Sequence, residues 1–242
     1  MSQQKIRSNT LVFSIALNGY QWLYKDFLHS HERYANRYGY DYQAVTKPMF
    51  TSLGVECCWL KLTLIQNALI RGYERVLFVD ADAQISDRAP QILDEQFNQG
   101  HVLMARSYSG RFNSGVMLVK NHALVIDWLA QVLANKNKKV AAENSVGWGE
   151  NGHIIECSKG SNIVGELDPR WNNTQFKDLA DYIRHFNYGP LRSGRTINAL
   201  HYLFSKGTQF LTLISSNTRQ NEDKGLQSLT QSVLNHYPIF IL

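Results

Sequence analysis

The sequence predicts an α/β fold, a mainly parallel central sheet flanked by helices, and three observations carry that prediction. Apolar runs of four to seven residues alternate along the chain with segments of helical period, the rhythm of successive strand–helix units. The length of 242 residues suits one such unit of generous size. A hydrophobic share of 44% with 19% charged residues is ordinary globular usage, so disordered and fibrous classes drop out.

The first strand is "TLVFSIAL", residues 10–17. Its apolar part runs directly into Asn18 and Gly19 with no small-residue cleavage site, so it reads as a core strand and not a secretion signal. From Tyr20 to Tyr38, Trp22, Leu23, Phe27, Leu28, Tyr34, Ala35 and Tyr38 recur at three- and four-residue steps, predicting one helix with a single stripe on the sheet. Gly39 closes it. "YDYQAV" is the second strand. "CCWLKLTLIQNALIRGY" is a helix with Trp59, Leu62, Ile65, Ala68 and Leu69 inward and Gly72 as its stop, and "RVLFVDADA" is the third strand. Pro90 starts a helix, "PQILDEQF". "VLMA" and "GVMLV" are short strands around the polar loop "RSYSGRFNS", and "HALVIDWLAQVLA" is an amphipathic helix. Residues 135–149 form a long polar loop, a type that often serves as lid or binding loop. "ENGHIIEC", "NIVGEL" and "DYIRHF" alternate helix and strand again; "FLTLIS" reads as a strand, and a last helix or strand ends at "YPIFIL". The expected division is one domain over residues 1–214 and a tail, 215–242, packing on it.

Charge and cysteines narrow the partners. The net charge of +5 comes from 25 Lys+Arg against 20 Asp+Glu and is spread along the chain, with "NKNKK" its one cluster. No basic helix, zinc-finger spacing or RNA-binding signature accompanies it, so nucleic acid is not an expected partner. An anionic small ligand or an acidic membrane surface fits the same excess. Cys57, Cys58 and Cys157 have neither zinc-knuckle spacing nor a ready disulfide geometry. They read as reduced thiols of a cytoplasmic protein, with a peripheral membrane position left open.

The chemistry concentrates at "RVLFVDADAQI". In a parallel sheet, ligands bind beyond the carboxyl ends of the strands. On an extended backbone Asp80 and Asp82 point to the same side, so both can approach one hard cation. Like charges closing at a buried edge repel, and a divalent ion relieves that repulsion. The competing reading is a turn in which Asp82 caps and Asp80 bonds nearby amides.

The ordered series "HERYANRYGYDY", "WLKLTLIQNAL", "VLFVDADAQI", "FNSGVMLVKN", "WGENGHII", "LDPRWNN" and "RHFNYGP" resembles the metal-dependent, nucleotide-sugar-using glycosyltransferases of the GT-A fold, in particular the galactosyl-, xylosyl- and mannosyltransferases of fungal and plant Golgi. The resemblance implies a GT-A type sheet with a Rossmann-like nucleotide-binding half. It implies that Asp80, Asp82 and His185 hold Mn²⁺, or Mg²⁺, against the diphosphate of a sugar nucleotide. A mixed carboxylate and imidazole set favours Mn²⁺. It further places the nucleoside near Ser14, Ala16, Leu17 and Tyr20, with Lys61, Ala81, Gly115 and Gly189 in the donor set and Arg111 a weaker cation. Asn113, Glu150 and Asn151 fall at the sugar and acceptor, and Asp168, Trp171 and Asn172 resemble the acceptor-side loop.

The expected reaction is transfer from a nucleotide-sugar, a UDP-sugar by preference, to a glycan, lipid-linked or small acceptor, with retention of configuration implied by the resemblance. The anchor and stem of the Golgi relatives are not expected here. A D-x-D phosphohydrolase is the first alternative, although such enzymes place the nucleophilic Asp after the first strand. A non-catalytic sugar-binding module of the same fold is the second.

Overall fold

The structure, a computed structural model, describes residues 8–146, 149–187, 189–192 and 222–241, with backbone alone for 222–224. Its strands are β1 (Thr10–Ile15), β2 (Asp41–Val45), β3 (Arg75–Val79), β4 (Ala83–Ile85), β5 (Val102–Met104), β6 (Val116–Lys120), β7 (Val164–Glu166) and β8 (Ile183–His185). Six of them form one sheet in the order β2-β1-β3-β6-β5-β7. β1 pairs in parallel with β2 and β3, and β5 with β7, while β6 runs antiparallel to both β3 and β5. Five strands therefore point one way, and the loops after β1, β2 and β3 emerge at a common edge. β4 and β8 form a separate antiparallel ribbon beyond that edge.

The helices are α1 (Tyr20–Leu23), α2 (Lys25–Tyr38), α3 (Glu56–Ile70), α4 (Ala123–Ala134), α5 (Asn151–Ser158) and α6 (Glu222–His236). Alternation along the strands divides the core in two. Leu11, Phe13, Val76, Phe78, Met117 and Val119 face α3, α4 and α6. Val12, Leu77, Val79, Val116 and Leu118 face the other way, onto Tyr34 and Ala35 of α2 and onto Trp171. The C-terminal segment joins the first layer through Leu229, Val233 and Phe240, whose ring meets Phe13 edge-on at 5.3 Å. Among the described residues no helix is long and apolar enough to cross a membrane.

The structure corrects three expected elements. The helix expected from Tyr20 to Tyr38 is interrupted at Tyr24, which caps both α1 and α2 with φ −112° and ψ 26°. Residues 90–93 are not helical, because Tyr34 and Tyr40 hydroxyls bond the backbone of Pro90 and Ile92; a 3₁₀ segment, Asp94–Gln99, follows instead. The third strand stops at Val79, and the two acids lie in a turn closed by Ala83 N donating to Asp80 O at 3.0 Å. "FLTLIS" and the boundary expected at residue 214 lie outside the described residues.

Candidate functional site

A turn, not an extended strand, brings the two acids to one side. β3 delivers Asp80 at the sheet edge, where its N–H bonds Gly115 O across the β3–β6 pair at 2.7 Å. After the turn, β4 pairs Ala83 with His185 of β8, and Phe186 N donates to Asp82 O at 3.0 Å. The ribbon thereby carries His185 more than a hundred residues back to the acids. Its Nε2 lies 3.2 Å from Asp82 Oδ1 and 3.7 Å from Asp80 Oδ2. One ligand atom from each of the three residues lies within 4.8 Å of the others.

The surroundings fit a metal ion on three counts. His185 Nδ1 lies 2.9 Å from Asn172 Oδ1, and Asn172 Nδ2 donates to Asn113 Oδ1 at 2.9 Å, which orients the amide. Nδ1–H thus donates to Asn172, which leaves Nε2 facing the carboxylates, where it donates to Asp82 as imidazolium or, once deprotonated, would present its lone pair to a metal as metal-ligating histidines do. Gly115 lacks the Cβ that would collide with His185 and come within 2.7 Å of Asp80 Oδ2. Two carboxylates and an imidazole form a donor set that Mn²⁺ accepts.

A buried charge network backs this cluster. Lys61, on α3, has its ammonium 2.5 Å from Glu150 Oε1 and donates to both Ser114 O and Ser114 Oγ at 3.0 Å. Ser114 Oγ donates to the same Glu150 oxygen at 2.5 Å. Asn151, first residue of α5, accepts from Ser114 N and donates to Phe112 O, each at 2.9 Å. Both polar ends of Asn151 therefore hold the 112–115 segment, whose Asn113 side chain also accepts from Gly115 N at 3.0 Å.

These charges tune one another. Burial, eased by Lys61 and His185 and aggravated by Asp82, raises the Asp80 carboxyl to about 6. Burial also works against ionised Asp82, but His185 and Arg192 outweigh it and hold that carboxyl below its usual range. His185 is raised: burial opposes its charged form, and Asp82 and then Asp80 overcome that. Lys61 is likewise raised, because Glu150 and Asp80 outweigh its burial.

Other expected residues meet different fates. Ser14 is fully buried, its hydroxyl 2.7 Å from His31 Nδ1, and the Ala16 and Leu17 side chains are packed inside. Only backbone remains at those positions for a ligand. Tyr20 is half-buried with its ring 5.4 Å from that of Tyr24. Ala81 sits in the acidic turn, and Gly189 packs where a Cβ would meet the Tyr108 ring at 3.0 Å. Arg111 turns away to Ser145 O at 2.8 Å, Asp168 is engaged with Arg170 at 2.6 Å, and Trp171 is a core residue against Tyr182.

Three participants had no sequence signal of their own. Ser114 hides between Asn113 and Gly115. Arg192, almost buried, reaches Tyr24 OH with Nη2 at 3.3 Å and acts on Asp82. His31 links Ser14 to Ala83 O, which its Nε2 approaches at 2.7 Å. Ser114 and Arg192 lie outside periodic elements and have no spacing to betray them, whereas His31, the first residue of "HERYANRYGYDY", lies on α2 and shows its role only through these long-range contacts.

No family model matches this chain, and no curated protein matches it by sequence. Solved structures do. The crystal structure of a glycosyltransferase involved in glycosylation of the major capsid of PBCV-1 superposes with a TM-score of 0.59 at 16% identity, over 79% of this chain and 98% of that one. Galactosyltransferase LgtC, solved with donor and acceptor sugar analogues, gives 0.47 at 15% identity over 90% and 99% of the two chains. GlyE of Streptococcus pneumoniae TIGR4 gives 0.46 at 13% identity over 94% and 65%. At such identities the likeness is one of fold, and the superposition on the PBCV-1 enzyme identifies the mixed α/β sheet and its flanking helices as the GT-A type.

Proposed function

We propose that this chain is a metal-dependent glycosyltransferase that moves a sugar from a UDP-sugar to a hydroxyl of a saccharide or lipid-linked acceptor, with retention of configuration. The observation that carries the reading is the convergence of Asp80, Asp82 and His185, through the β4–β8 ribbon, on one point beyond the carboxyl edge of a GT-A type sheet. The fold shared with the PBCV-1 glycosyltransferase supports the reaction class.

Asp80, Asp82 and the Nε2 of His185 would hold Mn²⁺. Bound there, the ion would offset the negative charge that develops on a departing nucleoside diphosphate. The chain's own groups add to that field. Arg192, beside Asp82, presents a planar guanidinium suited to diphosphate oxygens. Lys61 supplies a second positive charge in a site with little water, where fixed charges act strongly. Glu150 is tied by two donors, which suits a fixed anion facing the sugar better than a free nucleophile. Asn113 and Asn151 keep the 112–115 segment in register with the cluster.

The phosphohydrolase alternative is less supported, since the acids follow the third strand of the sheet and share their site with an imidazole. The test pairs binding with turnover. UDP-sugars with Mn²⁺ should raise the melting temperature of the chain, as ligands of the folded state do, and donor hydrolysis should require the metal. Asp82→Ala should abolish both responses while the unliganded chain still unfolds in one cooperative transition. Undiminished hydrolysis by that variant would sink the assignment.

A further inference from the structure

Four large apolar side chains stand exposed at the edge that carries Asp80 and Asp82: Trp22 at 54%, Leu23 at 40%, Met49 at 52% and Phe50 at 38%. They come from two segments, α1 after β1 and the loop 46–55 after β2. The segments form one surface. Asn18 N donates to Met49 O at 2.9 Å, Thr51 N donates to Asn18 Oδ1 at 2.7 Å, and the Trp22 and Phe50 rings lie 5.8 Å apart. Tyr237 fixes the loop from behind, its hydroxyl accepting from Thr46 N at 2.7 Å and Lys47 N at 3.0 Å. Val55, half exposed, extends the apolar surface.

Such a patch on a soluble chain marks an interaction surface, and its chemistry narrows the partner. Indole and phenyl rings with neighbouring aliphatics partition into the headgroup boundary of a bilayer. Among the described residues of these two segments and their flanks, 20–26 and 46–55, the exposed charges are Lys25 and Lys47 against one acid, Asp26. The loop 46–55 contains no acid, and the whole chain carries +5. Exposed aromatics on segments that also carry two exposed lysines complement an anionic lipid surface.

We infer that this face docks the chain on an anionic bilayer, with Trp22, Leu23, Met49 and Phe50 entering the headgroup layer and Lys25 and Lys47 meeting lipid phosphates. The loops after β1 and β2 share the sheet edge with the acidic turn after β3, so docking sets the candidate site beside the membrane. An acceptor carried on a lipid then reaches the site laterally, which deepens the lipid-linked choice among the proposed acceptors and rests on that reading. The docking itself does not, because vesicle binding is measured without donor or acceptor.

The experiment is co-sedimentation of the full chain with vesicles of phosphatidylglycerol and phosphatidylcholine, and with phosphatidylcholine alone. The wild-type chain should pellet with the anionic vesicles only, less so at high salt. Trp22→Ser with Phe50→Ser should weaken partitioning by about tenfold or more, and Lys25→Gln with Lys47→Gln by about thirtyfold. All four side chains are exposed, so both variants should keep the melting temperature and its response to UDP with Mn²⁺. No sedimentation of the wild type, or equal sedimentation of the aromatic variant, overturns the inference. So does a concentration-dependent dimer, abolished by the aromatic variant, in a chain that ignores vesicles, which would assign the patch to a second copy.

Discussion

Lys61 and Glu150 meet at 2.5 Å with about 5% of each side chain open to solvent, and both charges act on Asp80. A buried pair of this kind adds little net stability against a well-packed apolar pair, yet breaking it from one side is costly. Lys61→Met leaves Glu150 as a buried carboxylate with no cation beside it and removes a positive charge from Asp80. That variant should lose about 3–5 kcal/mol of unfolding free energy in urea. Lys61→Met with Glu150→Leu should recover most of the loss, so the two changes should be strongly non-additive. A single variant as stable as the wild type would mean that water already compensates the pair.

Asn172 is the residue through which the metal reading can be tested without touching a ligand atom. Its Oδ1 fixes the Nδ1–H of His185, and its Nδ2 is anchored on Asn113. Asn172→Leu keeps the volume and removes the acceptor, so the ring loses its preferred tautomer. Mn²⁺ affinity, read by calorimetric titration, should fall by about 10- to 100-fold, the usual effect of removing a partner behind a metal ligand. Gly115→Ala should act sterically on the same titration, since its new Cβ would intrude 2.7 Å from Asp80 Oδ2. Unchanged affinity in both variants would place the metal elsewhere.

What was legible in the sequence was local and periodic. The alternation of Leu11, Val12 and Phe13 gave a strand with two buried faces, and Gly39, with φ +68°, ends α2 where a left-handed residue is needed. The break after Val79 was not legible, because "VLFVDADAQI" keeps its apolar alternation straight through the turn that separates β3 from β4. Nor was the reversed direction of β6, since pairing partners leave no periodicity in a short strand. In the site, the acids and His185 could be named from the family resemblance, but their meeting depends on the β4–β8 pairing across about a hundred residues. Ser114, Arg192 and His31 act through such long-range contacts alone, which is why no spacing announced them.

His31 yields the last prediction. Its ring is fully buried on α2 between Ser14 Oγ and Ala83 O, each at 2.7 Å. An N–H on Nε2 donates to the Ala83 carbonyl while Nδ1 accepts the Ser14 hydroxyl, so the ring is neutral as placed. Burial lowers its pKa from 6.5 to about 4, although the Ala83 carbonyl pulls the other way. The unfolded chain therefore binds this proton at a higher pH than the folded chain does. Between about pH 6.5 and 4 the unfolded state holds more protons, so stability falls as the solution is acidified through that window. The contribution of this one group should reach about 3 kcal/mol by pH 4. Other carboxyl groups titrate over the same range, so the measurement is a difference: urea unfolding of the wild type and of His31→Gln at pH values spanning the window. The glutamine variant should lose about 2–3 kcal/mol less on acidification. Parallel stability curves for the two chains would show that His31 is protonated without cost.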